Sequence, residues 1–253
     1  MAQAIGTLED FLHLIARAAR ITAFTGAGIS TECGVPDFRS KDSPWLQHPP
    51  MDFETFLASE DNRRTAWRRK FAVDALWVGA QPGRGHTALV RLAAQGRLAA
   101  VITQNIDGLH QASGLAPDLV IELHGNGTYA TCLGCRARHE LAPIRTAFAA
   151  DEALPSCQCG GVVKSATIAF GQPMPIAPMQ RALAAALDCD VIVAIGSSLV
   201  VQPAARFPLI AKNNGAALVI LNRDPTPLDG QADLVLRGDI GAVLMQVAGA
   251  VAK

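Results

Sequence analysis

Six short runs of apolar and β-branched residues punctuate the chain, at Ile21–Thr25, 99–103, 119–123, Val191–Ile195, 217–222 and Leu234–Leu236. None alternates cleanly between polar and apolar positions, which is the pattern of strands buried on both faces. Helix-like stretches lie between several of them. In 8–20, Leu8, Phe11, Leu12, Ile15 and Ala19 recur at helical spacing, and 178–187 is rich in Ala and Leu after a proline start. Strands alternating with helices predict an α/β fold, a parallel sheet with helices on both faces.

Two regions break the alternation. Residues 37–85 hold all three tryptophans, Trp45, Trp67 and Trp77, and the basic cluster Arg63, Arg64, Arg68, Arg69 and Lys70. Residues 125–169 hold four clustered cysteines and little helical pattern. Both read as insertions between strands of the main sheet. The predicted organisation is a single unit over 1–253, with a large domain built from 1–36, 86–124 and 170–253, a helical insertion at 37–85 and a small lobe at 125–169.

Composition narrows the function. Lys and Arg total 22 against 22 Asp and Glu, the formal charge is +0, and 50% of the chain is hydrophobic. A neutral chain lacks the basic surplus from which nucleic-acid binders draw affinity, so no specific nucleic-acid partner is expected. The cationic patch from Arg63 to Lys70 reads as a solvated helix face or a docking surface. So apolar a chain can offset its ordering entropy, which excludes disorder. No run reaches the roughly 18 apolar residues of a membrane helix, and 1–7 carries no secretory pattern. A cytoplasmic monomer without a membrane partner is the expectation.

Cys132, Cys135, Cys157 and Cys159 offer four thiolates, the ligand set of a closed structural zinc site. Clustered thiols in a reducing compartment are more often metal ligands than disulfides. His139 is the alternative fourth ligand should Cys157 or Cys159 fail to reach. Cys33 and Cys189 stand alone.

The predicted strand ends carry the remaining chemistry. Thr25-Gly26-Ala27-Gly28-Ile29-Ser30 follows the first, where Gly-x-Gly lets backbone N–H groups approach a pyrophosphate at the start of a following helix. A tight strand-to-helix turn fits equally, and Thr31 occupies the place of the usual third glycine. The second ends in Thr103-Gln104-Asn105-Ile106-Asp107-Gly108-Leu109-His110, whose Asn and Asp fit a ligand crevice or a helix cap. The third ends in Glu122-Leu123-His124-Gly125, and its histidine can act as a general base or serve packing. Ile195-Gly196-Ser197-Ser198 and Leu221-Asn222-Arg223-Asp224 add hydroxyl and amide groups at later strand ends. No acidic residue ends a second strand about 20 positions after the glycines, so hydride transfer is disfavoured.

Taken in order, Gly26 to Ser30, Gly34-Val35-Pro36-Asp37-Phe38-Arg39, Thr103 to His110, His124-Gly125, the two cysteine pairs, Phe170-Gly171, Gly196 to Leu199 and Asn222 resemble the sirtuin family over nearly the whole chain. The resemblance implies a Rossmann-like large domain, a small zinc-binding lobe with one structural zinc ion, and a cleft for NAD and acyl-lysine. It implies a protein-lysine deacylase consuming NAD as co-substrate, most readily a deacetylase, that yields nicotinamide, O-acyl-ADP-ribose and free lysine. Its partners would be proteins bearing acylated lysine. By the same resemblance, His124 is the general base, Asn105 orients the nicotinamide ribose, and Asp107 with Ile106 holds the nicotinamide carboxamide. Gly26, Ala27, Gly28, Asp37, Phe38, Arg39 and Gln104 complete the NAD pocket. Gly196, Ser197, Ser198, Asn222, Asp239 and Ile240 meet the adenosine half. Ile168, Phe170, Gly171 and Val200 meet the acyl-lysine.

Several positions depart from the family. Where it commonly carries Arg-Pro-Asp-Val-Val, this chain has Lys164-Ser165-Ala166-Thr167-Ile168, and Gln172 replaces a glutamate. The Tyr-x-x-Arg of succinyl-removing members aligns with Lys70 and Val73, so an acidic-acyl pocket is not expected. ADP-ribosyl transfer from the same pocket, and a silent NAD- or acyl-lysine-binding module, are the competing readings.

Overall fold

The computed structural model describes residues 6–37 and 43–250. The first helix, α1 (Leu8–Arg17), starts at a reciprocal cap in which Asp10 N–H donates to Thr7 Oγ1 at 3.1 Å and Thr7 N–H to Asp10 Oδ2 at 2.9 Å. It ends three residues before the predicted 20, where Ala18 turns extended and leads the chain into β1 (Ile21–Thr25).

Two 3₁₀ turns follow β1, at Ala27–Ile29 and Thr31–Cys33, instead of the α-helix expected after the glycines. Next come α2 (Phe53–Ala58), α3 (Glu60–Asp74), α4 (Arg84–Ala94), β2 (Leu98–Thr103), α5 (Leu109–Ala112) and β3 (Val120–Glu122). The cysteine-bearing stretch holds β4 (Gly125–Cys132), β5 (Arg138–Glu140), α6 (Leu141–Asp151) and β6 (Val163–Thr167). The chain closes with α7 (Ile176–Leu187), β7 (Val191–Ile195), α8 (Phe207–Asn213), β8 (Ala217–Leu221), β9 (Leu234–Leu236) and α9 (Ile240–Ala250). The eleven-residue α6 corrects the expectation of little helix in 125–169. Pro143 and the scattered apolar positions of Leu141–Asp151 blur its helical period, and only Ile144 and Phe148 are buried.

The large sheet is parallel throughout, in the order β3-β2-β1-β7-β8-β9. Numbered along this sheet alone, the order is 3-2-1-4-5-6, the doubly wound arrangement whose switch point lies between its first and fourth strands. Alternate residues of β1 and β7 enter opposite cores. Ile21, Ala23, Val191, Val193 and Ile195 pack with α1, α4 and α9, whereas Phe24, Ile192 and Ala194 pack with α7 and α8. Burial on both faces is why these strands read as unbroken apolar runs.

A separate antiparallel sheet, β5-β4-β6, carries the cysteines. Trp67 of α3 joins Ile144 and Phe148 of α6 over its Ala130, Cys132 and Val163, so the helical insertion packs onto this small sheet. The basic residues of α3 are largely engaged. Arg64 meets Glu60 and Asp61, Arg68 forks onto Glu152, and Arg63 and Arg69 donate to the carbonyls of Leu57 and Pro49. No helix among the described residues is long and apolar enough to cross a membrane.

Candidate active site

The carboxyl ends of β1 and β7 meet at the switch point. Gly26 N–H donates to Ile195 O at 3.0 Å and Gly28 N–H to Gly196 O at 2.9 Å. A Cβ on Gly26 would lie 2.7 Å from Gly196 O, and one on Gly28 2.6 Å from Gly196 Cα. Here the glycines let two loops touch backbone to backbone, a demand separate from any phosphate.

Behind this contact, polar groups from three strand ends interlock. Thr25 Oγ1 hydrogen-bonds to Thr103 Oγ1 at 2.8 Å, and Thr103 Oγ1 accepts from Asn105 N–H at 3.0 Å. Asn105 Nδ2 donates to Ser30 Oγ at 3.3 Å, and Ser30 Oγ donates to Asp107 Oδ2 at 2.7 Å. Leu109 N–H donates to Asp107 Oδ1 at 2.9 Å, fixing both oxygens of that carboxylate. Gln104 Nε2 donates to Ser197 Oγ at 2.7 Å, tying β2 to the loop after β7. Ser30 is fully buried and holds Asn105 and Asp107 together, a role the sequence reading missed although the residue stood within its glycine motif.

His124 lies 3.1 Å from Gln104 O through Nδ1. A carbonyl only accepts, so Nδ1 carries the proton and Nε2 is left with the lone pair. Burial holds the His124 pKa below the ordinary histidine value, with the hydrogen bond to Gln104 O pulling the other way. The imidazole is therefore a neutral base near pH 7. Deeper still, His110 accepts or donates through Nε2 at 2.9 Å from Thr25 Oγ1, and burial drives its pKa down to about 3.

These groups face a cleft of about 2030 Å³ between the two sheets. It exceeds a typical single-ligand pocket of roughly 300 to 1,000 Å³ and has room for a dinucleotide and a peptide side chain together. From the predicted cofactor set, Gly26, Ala27, Gly28, Asp37, Gln104, Asn105, Ile106, Asp107, Gly196, Ser197, Ser198, Asn222, Asp239 and Ile240 line it. His124 and the predicted acyl-lysine residues Ile168, Phe170, Gly171 and Val200 line it too. Phe38 and Arg39 lie outside the described residues. Ile168 N–H donates to His124 O at 2.8 Å, which joins the predicted acyl-lysine wall to the predicted base. Phe53 N–H donates to Phe170 O at 2.8 Å, so α2 braces the same wall. Lys164 donates to Ser165 O and Thr167 O at 3.1 and 2.6 Å, and burial draws its amine down to about 8.

Away from the cleft, Cys132, Cys135, Cys157 and Cys159 converge with all four sulfurs within 4.8 Å of one another. Cys132 and Cys159 approach to 3.5 Å, as do Cys135 and Cys157. Tetrahedral coordination at about 2.3 Å per thiolate requires sulfurs about 3.8 Å apart, so this set fits a zinc ion. His139 is not in the cluster.

Comparison with known proteins gives a consistent result. The model of the Sir2 family matches residues 26–203. The chain is 54% identical over 238 residues to NAD-dependent protein deacetylase 1 of Bradyrhizobium diazoefficiens, covering 94% of this chain and 93% of that one. It is 52% identical over 238 residues to the NAD-dependent protein deacetylase of Rhodopseudomonas palustris, covering 94% of each. Among solved structures it resembles Sir2Tm bound to a propionylated peptide, with a TM-score of 0.84, 31% identity and coverage of 97% and 100%. A mutant Sir2 homologue in complex with ADP ribose gives a TM-score of 0.84 at 33% identity, covering 96% of both chains.

Proposed function

This chain belongs to the Sir2 family, and from that premise we propose how its residues carry out NAD-dependent deacylation of acyl-lysine in proteins. The observation that carries the reading is the convergence of Asn105, Asp107 and His124 on one cleft that also holds the Ile168 to Gly171 wall. NAD, bound as co-substrate, supplies the electrophilic ribose carbon and takes the acyl group away as O-acyl-ADP-ribose.

The protein's part is orientation and one proton. Asp107, its oxygens fixed by Ser30 and Leu109, presents with Ile106 a rigid edge for the nicotinamide carboxamide. Asn105, anchored through its backbone to Thr103 and its side chain to Ser30, orients the nicotinamide ribose. Gln104, Ser197 and the paired loops at Gly26, Gly28 and Gly196 shape the diphosphate and adenosine end. Ile168, Phe170 and Val200 flank the acyl-lysine. Such positioning is worth up to roughly 7 to 11 kcal/mol when the reacting atoms are well aligned. The Nε2 lone pair of His124 then accepts the proton of a ribose hydroxyl, and its lowered pKa keeps that lone pair free near neutrality.

Acetyl is the favoured acyl group. The names of the two relatives, both NAD-dependent protein deacetylases, support it. So does Lys70, whose ammonium sits on Asp74 at 2.5 Å and on Gly127 O at 2.8 Å and is already occupied as a carboxylate receptor. The four cysteines hold one structural zinc ion, and the small sheet with α6 forms the zinc lobe.

The test is an NAD-dependent assay on acetyl, succinyl and myristoyl lysine peptides with mass spectrometry of the products. The expected result is fastest turnover of acetyl-lysine with nicotinamide and O-acetyl-ADP-ribose released together. ADP-ribose attached to protein would favour the transferase reading, and fastest succinyl turnover would overturn the acetyl preference.

A further inference from the structure

Glu32 sits in the second 3₁₀ turn after β1, on the loop that borders the cleft, and its carboxylate reaches the start of α4. Its Oε1 accepts from Gly85 N–H at 3.0 Å, at the start of α4. The N-cap of α4 is Gly83, which has no side chain to offer, so Glu32 supplies the anion this helix start favours. Its Oε2 accepts from Arg84 Nε at 3.0 Å. The same guanidinium reaches Asp239 with Nη2 at 2.8 Å from Oδ2. Asp239 in turn caps α9, accepting from Ala242 N–H at 2.7 Å.

Arg84 thus joins two carboxylates, each of which caps a different helix. The junction is too close for ordinary residues. A Cβ on Gly83 would lie 2.5 Å from Glu32 Oε1, and one on Gly241 2.6 Å from Glu32 Oε2. A Cβ on Gly85 would fall 2.9 Å from Ile29 Cγ1, in the first 3₁₀ turn. Glu32, Asp239, Ile240 and Gly241 line the cleft, whereas Arg84 does not. The carboxylate of Asp239 is engaged by Arg84 and the α9 cap.

We propose that Arg84, with Glu32, is a positioning pair for the cofactor: it fixes the spacing between the loop of Gly26–Cys33 and the start of α9, the two walls between which the adenosine half of NAD is held. The inference rests on the reading of the cleft as an NAD site. Arg84 touches neither cofactor nor acyl-lysine, so its effect falls on NAD affinity and spares the chemical step.

The experiment pairs calorimetric titration of NAD into the full chain with steady-state kinetics on an acetyl-lysine peptide. For Arg84→Ala, NAD affinity should fall and KM for NAD rise about 3- to 10-fold, the size of effect a partly exposed ion-pair network supports. The kcat and the KM for peptide should stay within about twofold, which separates cofactor binding from loss of the catalytic geometry. Arg84→Lys, which keeps the charge but not the fork, should recover part of the affinity. Wild-type NAD affinity in Arg84→Ala, or a parallel loss of kcat and peptide affinity, would overturn the assignment. If Arg84→Ala does not fold, Glu32→Gln takes its place: weaker NAD binding at unchanged kcat supports the pair, and unchanged NAD binding refutes it. A wild-type chain that fails to bind NAD would instead refute the reading of the cleft.

Discussion

At the scale of single residues, two histidines have opposite duties, and burial and hydrogen bonding separate them: His124 is half-buried at the cleft, whereas His110 is buried behind it. His124 keeps Nε2 free because Gln104 O takes the proton of Nδ1, so it can act as a base. Its pKa is lowered by burial, hence the acid limb of kcat/KM should have its midpoint below about 6.5, the ordinary histidine value. A pH–rate profile checks this, and a midpoint above neutrality would contradict the assignment. His124→Ala should abolish turnover while NAD still binds. His110 has no access to the cleft, and its pKa of about 3 belongs to stability. Its folded-state pKa is depressed, so the unfolded chain takes up the extra proton as pH falls below the unfolded value. The stability it contributes is present above about pH 6.5 and is lost between there and about 3, with a slope of up to about 1.4 kcal/mol per pH unit. His110→Gln, which can still hydrogen-bond to Thr25, should flatten the acid side of a denaturant-midpoint curve, and an unchanged curve would exclude this role.

Among the elements, the contact between the β1 and β7 loops is the most demanding. Gly196 has φ +59°, and a Cβ there would lie 2.5 Å from Ile29 N and 2.7 Å from Gly28 Cα. Both obstacles are backbone and cannot rotate away. Gly196→Ala should therefore cost about 2 to 4 kcal/mol in urea unfolding through combined strain and overlap, and a change under about 0.5 kcal/mol would show that the loops can separate freely. The same contact explains what could be read from the sequence. The parallel strands were legible because they are buried on both faces, so Val191–Ile195 stands out without knowledge of its neighbours. That the predicted site residues would share one cleft was legible because most of them follow those strands. The 3₁₀ turns after β1 were not, since their shape depends on Gly196, 168 positions beyond Gly28. Nor was the Glu32, Arg84 and Asp239 junction, whose members come from three separate segments and form no local pattern. In α6, few buried positions and an internal proline left too weak a period to recognise.

For the molecule as a whole, the proposed assignments divide the ligands largely between the two sheets, with Val200, after β7, as the acyl-lysine contact from the large one. Residues assigned to NAD follow strands of the large sheet, whereas the acyl-lysine wall at Ile168 to Gly171 continues directly from β6 of the small one. The two sheets are tied where β4 and the end of β6 meet the strand ends of the large one, through Gly127 N–H on Ile106 O at 2.7 Å, Asn126 Nδ2 on Glu122 Oε1 at 2.7 Å and Ile168 N–H on His124 O at 2.8 Å. The four cysteines proposed to hold zinc gather at the other end of that small sheet, which has three strands and one modest core around Trp67. A lobe this small buries little apolar surface of its own, and a closed metal site would contribute to its folding directly. With zinc held there as proposed, treatment with a chelator, or replacement of Cys135 with serine, should thus loosen β6 first. The predicted outcome is asymmetric: KM for the acetyl-lysine peptide rises by about tenfold or more while the affinity for NAD, whose walls are built on the six-stranded sheet, changes by less than about threefold. Metal analysis together with calorimetry of each ligand on the chelated chain measures both. An equal loss of NAD and peptide binding would mean that the small sheet supports the entire cleft, and the division of labour between the sheets would have to be abandoned.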